Sequence, residues 1–164
     1  MIATAAATGA KGKARGGPRR AMPAEVRAPL AFVRAILEGG KVGPARLWML
    51  LQVDDAAGRG FVTLDRARAL ASGDDLDQGA GLFWTVDQGR GRVLLRSPGK
   101  IARALGVGSW SPRRRVALPV AELAAGPDRA AAAMRAAVEA QLTAAERGRW
   151  LAGGGFTSDR HNAR

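Results

Sequence analysis

The chain has 164 residues, enough for one ordinary domain or two very small ones. It holds no cysteine and a single histidine, His161, which excludes a disulfide framework, Cys-based zinc sites, thiol catalysis and a multi-His metal centre. The net charge is +12, and no apolar run approaches the roughly 18 residues of a membrane span, so a membrane partner is not expected and the chain reads as cytoplasmic. Arginine outnumbers lysine 22 to 4. A guanidinium clamps phosphates bidentately, but Ala, Gly and Arg also rise together in GC-rich genomes. That second effect accounts for the Arg/Lys ratio and leaves the net charge and its clustering unexplained.

Residues 1–22 are rich in Gly and Ala and carry Lys11, Lys13, Arg15, Arg19 and Arg20 with little to bury, so they read as a disordered basic arm. Over 23–38, Val26, Leu30, Val33 and Leu37 recur at three- and four-residue steps and predict an amphipathic helix. Gly39-Gly40 ends it, and a second helix spans 44–53 with Leu47, Trp48, Leu50 and Leu51 on its apolar side. Phe61-Val62 is a short extended piece, and Thr63 caps a helix over 64–71 with Asp65 in its first turn. Residues 72–81 leave room for at most one helical turn. Strands follow over 82–86 and 92–96, joined by a turn at Gly89-Arg90-Gly91. Ser97-Pro98 starts another helix, with Ile101, Leu105 and Val107 inward. A strand-like run spans 116–120, broken by Pro119, and an alanine-rich helix spans 127–141, where Met134, Val138 and Leu142 are the larger contacts. Thr143 caps a last helix to about residue 152. The sum is a mainly α chain with a small β-hairpin, an α+β class. Its expected divisions are an arm at 1–22, a domain at 23–115 and a helical region at 116–164.

Charge divides this chain sharply. Residues 54–87 hold seven acids, Asp54, Asp55, Asp65, Asp74, Asp75, Asp77 and Asp87, whereas 88–121 hold none. The second stretch carries Arg90, Arg92, Arg96, Lys100, Arg103, Arg113, Arg114 and Arg115. One sign concentrated on a surface attracts the opposite polyelectrolyte, and neutralised phosphates release counterions. The composition therefore points to nucleic acid as partner. Trp110, three residues before the Arg113–Arg115 cluster, is placed to stack on an unpaired base while the arginines take phosphates.

Signals for catalysis are poor. Gly99-Lys100 is followed by Ile101 and lacks the earlier glycine of a phosphate loop. Counting twelve positions from Asp74 or Asp75 reaches Thr85 or Val86 rather than the Glu a calcium loop needs, so the acids read as a solvated loop. His161 has no Ser/Asp partner at a triad-like spacing. Neither a cofactor nor an enzymatic activity is expected.

Between 44 and 97 the order is helix, short strand, helix, truncated helix, strand, hairpin, strand. That order resembles a winged helix-turn-helix domain. The resemblance implies that 82–97 form the wing, with Arg90, Arg92 and Arg96 on one alternation face and Leu82, Trp84 and Val86 on the other. It places 72–79 at the recognition position, where Asp74, Asp75 and Asp77 stand instead of the Arg, Lys, Asn or Gln that read base edges, so no base-reading role is carried onto them. Residues 143–164 look like the start of a second helix-turn-helix, with Ser158, Arg160, His161 and Asn162 in its second helix and Arg160 as a candidate contact. Tandem units of this kind resemble plasmid and phage replication initiators or regulators. The resulting expectation is a non-enzymatic protein of bacterial, phage or mobile-element type that binds duplex DNA in preference to RNA. It would act in replication, transcription control or a DNA-processing complex. Two alternatives stay open: an RNA-binding subunit of a ribonucleoprotein, and an adaptor or inhibitor that binds a protein through Asp74, Asp75 and Asp77.

Overall fold

A computed structural model describes residues 23–108 and 113–152. The fold is mainly helical with two small antiparallel sheets, as the α+β expectation has it. In chain order the elements are β1 (Glu25–Pro29), α1 (Leu30–Glu38), α2 (Val42–Asp54), β2 (Phe61–Thr63), α3 (Leu64–Leu70), α4 (Asp75–Gln78), β3 (Trp84–Asp87), β4 (Arg92–Leu95), α5 (Pro98–Ala104), β5 (Arg115–Pro119), α6 (Val120–Ala124), α7 (Pro127–Gln141) and α8 (Ala144–Leu151).

The expected helix over 23–38 is a strand joined to a helix. Pro29 decides this: it sits at φ −60°, ψ 138° and has no N–H to give a helical ladder, so the helix starts only at Leu30. The preceding residues pair with β5, Val26 opposite Leu118 and Ala28 opposite Val116. β5 mirrors β1. Pro119 ends it and starts α6, a short helix that the sequence patterns did not announce. The two junctions are tied reciprocally, Leu30 N–H to the Arg114 carbonyl and Val120 N–H to the Ala24 carbonyl, at 2.8 and 2.9 Å.

The expected boundary at 115/116 therefore falls inside β5. A single cluster of buried residues crosses it, running from Phe32, Val33 and Ile36 through Leu47, Met49 and Leu51 to Leu118, Leu123, Met134 and Val138. At the centre lies α2. Residues Pro44 to Leu51 are all buried, Arg46 among them, which is what a helix packed on several sides requires. α3, α4, α6 and α7 all pack on it. α7 turns Ala130, Met134 and Val138, four residues apart, toward α1, α2 and β5.

The second sheet has the order β2-β4-β3, with α3 and α4 inserted between β2 and β3. Val62, Val93 and Val86 stand opposite one another across its three strands, and Trp84 stands opposite Leu95. Val62, Val93 and Trp84 are buried, as is Phe83 beside them. Thr63 accepts from the Arg66 N–H and starts α3 as expected. Ser97 starts α5 without a side-chain cap bond.

Candidate nucleic-acid interface

The outward face of the β2-β4-β3 sheet carries Phe61, Leu94 and Thr85 in one row and Thr63, Arg92 and Asp87 in the next, because residues opposite one another across an antiparallel pair share a face. Leu94 is 43% exposed, unusual for a large apolar side chain here. Two guanidiniums cover Phe61: Arg92 lies 4.3 Å and Arg59 4.9 Å from the ring centroid. Such contacts are worth roughly 0.5–1 kcal/mol at exposed sites and hold the charges close together.

Arg59 is positioned by Asp55. The Asp55 carboxylate is buried and accepts from the N–H groups of Arg59 and Gly60 at 3.0 and 2.7 Å. This locks the turn after α2 and sets the Arg59 side chain, itself 58% exposed, over the sheet. Asp87 does the same for the β3–β4 turn, accepting from the Arg90 N–H at 3.1 Å. Its ion pair to the Arg90 guanidinium is long, 4.0 Å, and that side chain remains 78% exposed. Sequence patterns missed Arg59 and Phe61. The available signal was Asp55 four residues ahead of Arg59 in a turn between two glycines.

No protein-family model, curated protein or solved structure matches the chain.

The basic residues of 88–115 do not form one patch. Arg90 and Arg92 join Arg59 at the β2-β4-β3 sheet. Arg96 is half-buried at the end of β4, where its carbonyl accepts from the Trp48 indole at 3.1 Å. Lys100 and Arg103 are exposed on α5. Arg115 starts β5 of the other sheet, opposite Pro29, and Arg113 and Arg114 precede it. Arg114, expected as a phosphate contact, also bonds within the protein: it donates to both carboxylate oxygens of Glu146, at 3.1 and 3.3 Å, and to the Gln141 carbonyl at 2.6 Å. The Arg114 guanidinium and the Thr143 N–H together hold the Glu146 carboxyl down to about 2, and the same pair raises the pKa of Arg114. Thr143 and Glu146 also exchange capping bonds, so this cluster fixes the start of α8. Trp110 and Arg160 lie outside the described residues, as does the second helix expected after 153.

Residues 72–79, expected at the recognition position, hold α4, a single turn. Asp75 is not offered to a partner. It is 7% exposed and accepts from Arg46, 1% exposed, at 2.8 Å. Arg46 also donates to the Leu123 carbonyl at 3.0 Å, so one buried guanidinium ties α2 to α4 and to α6. The approach is so close that a Cβ at Gly43 would collide with the Asp75 carboxylate, and one at Gly79 with the Trp84 ring. The Trp84 indole donates to the Leu76 carbonyl at 2.9 Å and holds the turn from its other side. Asp74 and Asp77 remain exposed. Among the described residues no group of three or more His, Cys, Asp or Glu side chains is arranged to hold a metal ion, and no helix is long and apolar enough to cross a membrane.

Proposed function

We propose that the chain is a non-enzymatic duplex-DNA-binding protein whose wing sheet, rather than a recognition helix, makes the contact. The observation that carries this reading is the Arg59–Phe61–Arg92 arrangement on the open face of the β2-β4-β3 sheet, with Arg90 at the turn beside it. The sheet order and the helices inserted between β2 and β3 support a winged-helix arrangement. Three exposed guanidiniums on a rigid sheet suit phosphate oxygens, which fix a protein's position on a duplex without reading sequence. The pinned, acidic α4 suits base recognition poorly, since its one buried acid is internal and Asp74 and Asp77 repel phosphate. Such a protein would serve replication, transcription control or assembly of a DNA-processing complex.

The test is fluorescence anisotropy on matched duplex DNA, single-stranded DNA and RNA across a salt series. Duplex binding with a steep salt slope is expected. Replacing Arg59, Arg90 and Arg92 by alanine should weaken binding to every duplex sequence and flatten the slope by about 2–3. Preference for RNA over duplex would overturn the DNA assignment, and an unchanged slope in the triple variant would overturn the interface.

A further inference from the structure

A cavity of about 460 Å³ opens between β1, α1, α2 and the start of α5. That is space for about fifteen waters and lies within the range of small-ligand pockets. Phe32, Trp48, Met49 and Pro98 line it with apolar surface. At the β1–β5 ribbon the lining turns basic, with Arg27 and Arg115. Arg115 stands opposite Pro29, two residues along β1 from Arg27, so both arginines lie on one face as diagonal neighbours. Neither has an acidic partner among the described residues, in contrast to Arg114, which pairs with Glu146.

The backbone adds a donor. Leu30 and Val120 give their N–H groups to the opposite strand, and in an antiparallel ladder every second pair is so bonded. By that alternation Val26 and Ala28 are paired to β5, while Arg27 turns its N–H and carbonyl to the free edge of β1, beside the cavity. An apolar chamber with two unopposed guanidiniums and a free N–H at one side is complementary to one ligand chemistry: an apolar body ending in a carboxylate. No residue of the β2-β4-β3 sheet lines the chamber, so this site is separate from the wing sheet.

We propose that the cavity between β1, α2 and α5 binds a small apolar carboxylic acid, with its body against Phe32, Trp48 and Met49 and its carboxylate on Arg27 and Arg115. The experiment is isothermal titration calorimetry of the full chain with 2-naphthoate, the neutral 2-naphthalenemethanol, and acetate. Naphthoate should bind with one-to-one stoichiometry. The alcohol should bind at least about tenfold more weakly, since hydrogen bonds to a charged group exceed neutral ones by about that factor. Acetate, lacking the apolar body, should not saturate. The double variant Arg27→Gln/Arg115→Gln should bind acid and alcohol alike. Gln52 is exposed and lines the cavity, so Gln52→Trp obstructs the chamber without disturbing the core, and it should abolish binding of both. No saturable binding of naphthoate, equal affinity for the alcohol, or naphthoate binding that survives Gln52→Trp would each overturn the proposal. None of these outcomes depends on whether the protein binds DNA.

Discussion

Replacing Arg46 by Met tests how the one-turn helix α4 is held. Arg46 is 1% exposed and satisfies two groups at once, the Asp75 carboxylate at 2.8 Å and the Leu123 carbonyl at 3.0 Å. Methionine fills similar volume, so the main loss is electrostatic: a carboxylate 7% exposed is left with no counter-charge, and a carbonyl loses its donor. Removing one partner of a buried pair costs about 3–5 kcal/mol. Against a total stability of about 5–15 kcal/mol, that is at least about a fifth of the whole. At about 3 °C per kcal/mol for a chain of this size, Tm should fall by about 10–15 °C. Urea unfolding should show a lower midpoint at unchanged slope. The same reasoning requires partial rescue. Arg46 Nε has no protein acceptor, so the pair is imperfectly satisfied, and Arg46→Met combined with Asp75→Leu removes the stranded charge along with its partner. The double variant should be more stable than Arg46→Met alone by at least about 1.5 kcal/mol. A loss below about 1 kcal/mol in Arg46→Met, or a double variant as unstable as the sum of the single ones, would refute the account.

Gly43→Ala should destabilise by about 1–3 kcal/mol, because the new Cβ meets the Asp75 carboxylate, whereas Gly99→Ala, with open space around it in α5, should be neutral or gain about 0.5–1 kcal/mol; paired urea titrations decide, and equal effects would count against the packing argument. Glu146 titrates at about 2 in the folded chain against an ordinary 4.5, so its contribution to docking α8 is complete above about pH 5 and is lost as pH falls toward 2. Hydrogen-exchange protection of α8 amides, relative to Glu146→Gln, should shrink over that window, and a difference independent of pH would sink the assignment. Arg114→Ala should loosen α8 yet leave the salt slope of DNA binding unchanged, and a slope flattened by about one would return Arg114 to the interface.

Local chemistry made parts of the fold legible. Pro127 and the spacing of Met134, Val138 and Leu142 give α7 to the residue, and Thr63 and Thr143 cap where a hydroxyl before an apolar run should. The β1–α1 junction misled because Val26, Leu30, Val33 and Leu37 satisfy the helical period on both sides of Pro29, and only the proline records the break. α6 is five residues long, too short for a period to show. The two features that shape the site lie beyond local pattern. Arg46 and Asp75 are 29 residues apart and look like ordinary surface charges, although Arg46 stands ahead of an apolar run, Leu47 to Leu51, that a buried helix would supply. Arg114 looked like one of three equivalent arginines, and only the return of α8 to β5 distinguishes it.

That distinction sets what the proposed interface can deliver. If all eight basic residues of 88–115 met phosphates, the salt slope would be about −7, and affinity would fall by roughly 10⁴ between 50 and 200 mM salt. The structure divides them among the wing, α5 and the β1–β5 ribbon, and commits Arg114 to Glu146. Contact through Arg59, Arg90 and Arg92 alone gives a slope near −2.7 and a loss of only about 40-fold over the same range. A small slope also means modest non-specific affinity, and α4, pinned by Arg46 and carrying exposed acids, is in no position to supplement it by reading bases. On the proposed reading the wing sheet therefore acts as one contact among several, and tight binding to DNA requires either a second basic element of this chain or a second protein on the same duplex. The measured slope separates these cases directly: near −3 it assigns contact to the wing alone, and near −7 it requires the ribbon and α5 to face the same duplex.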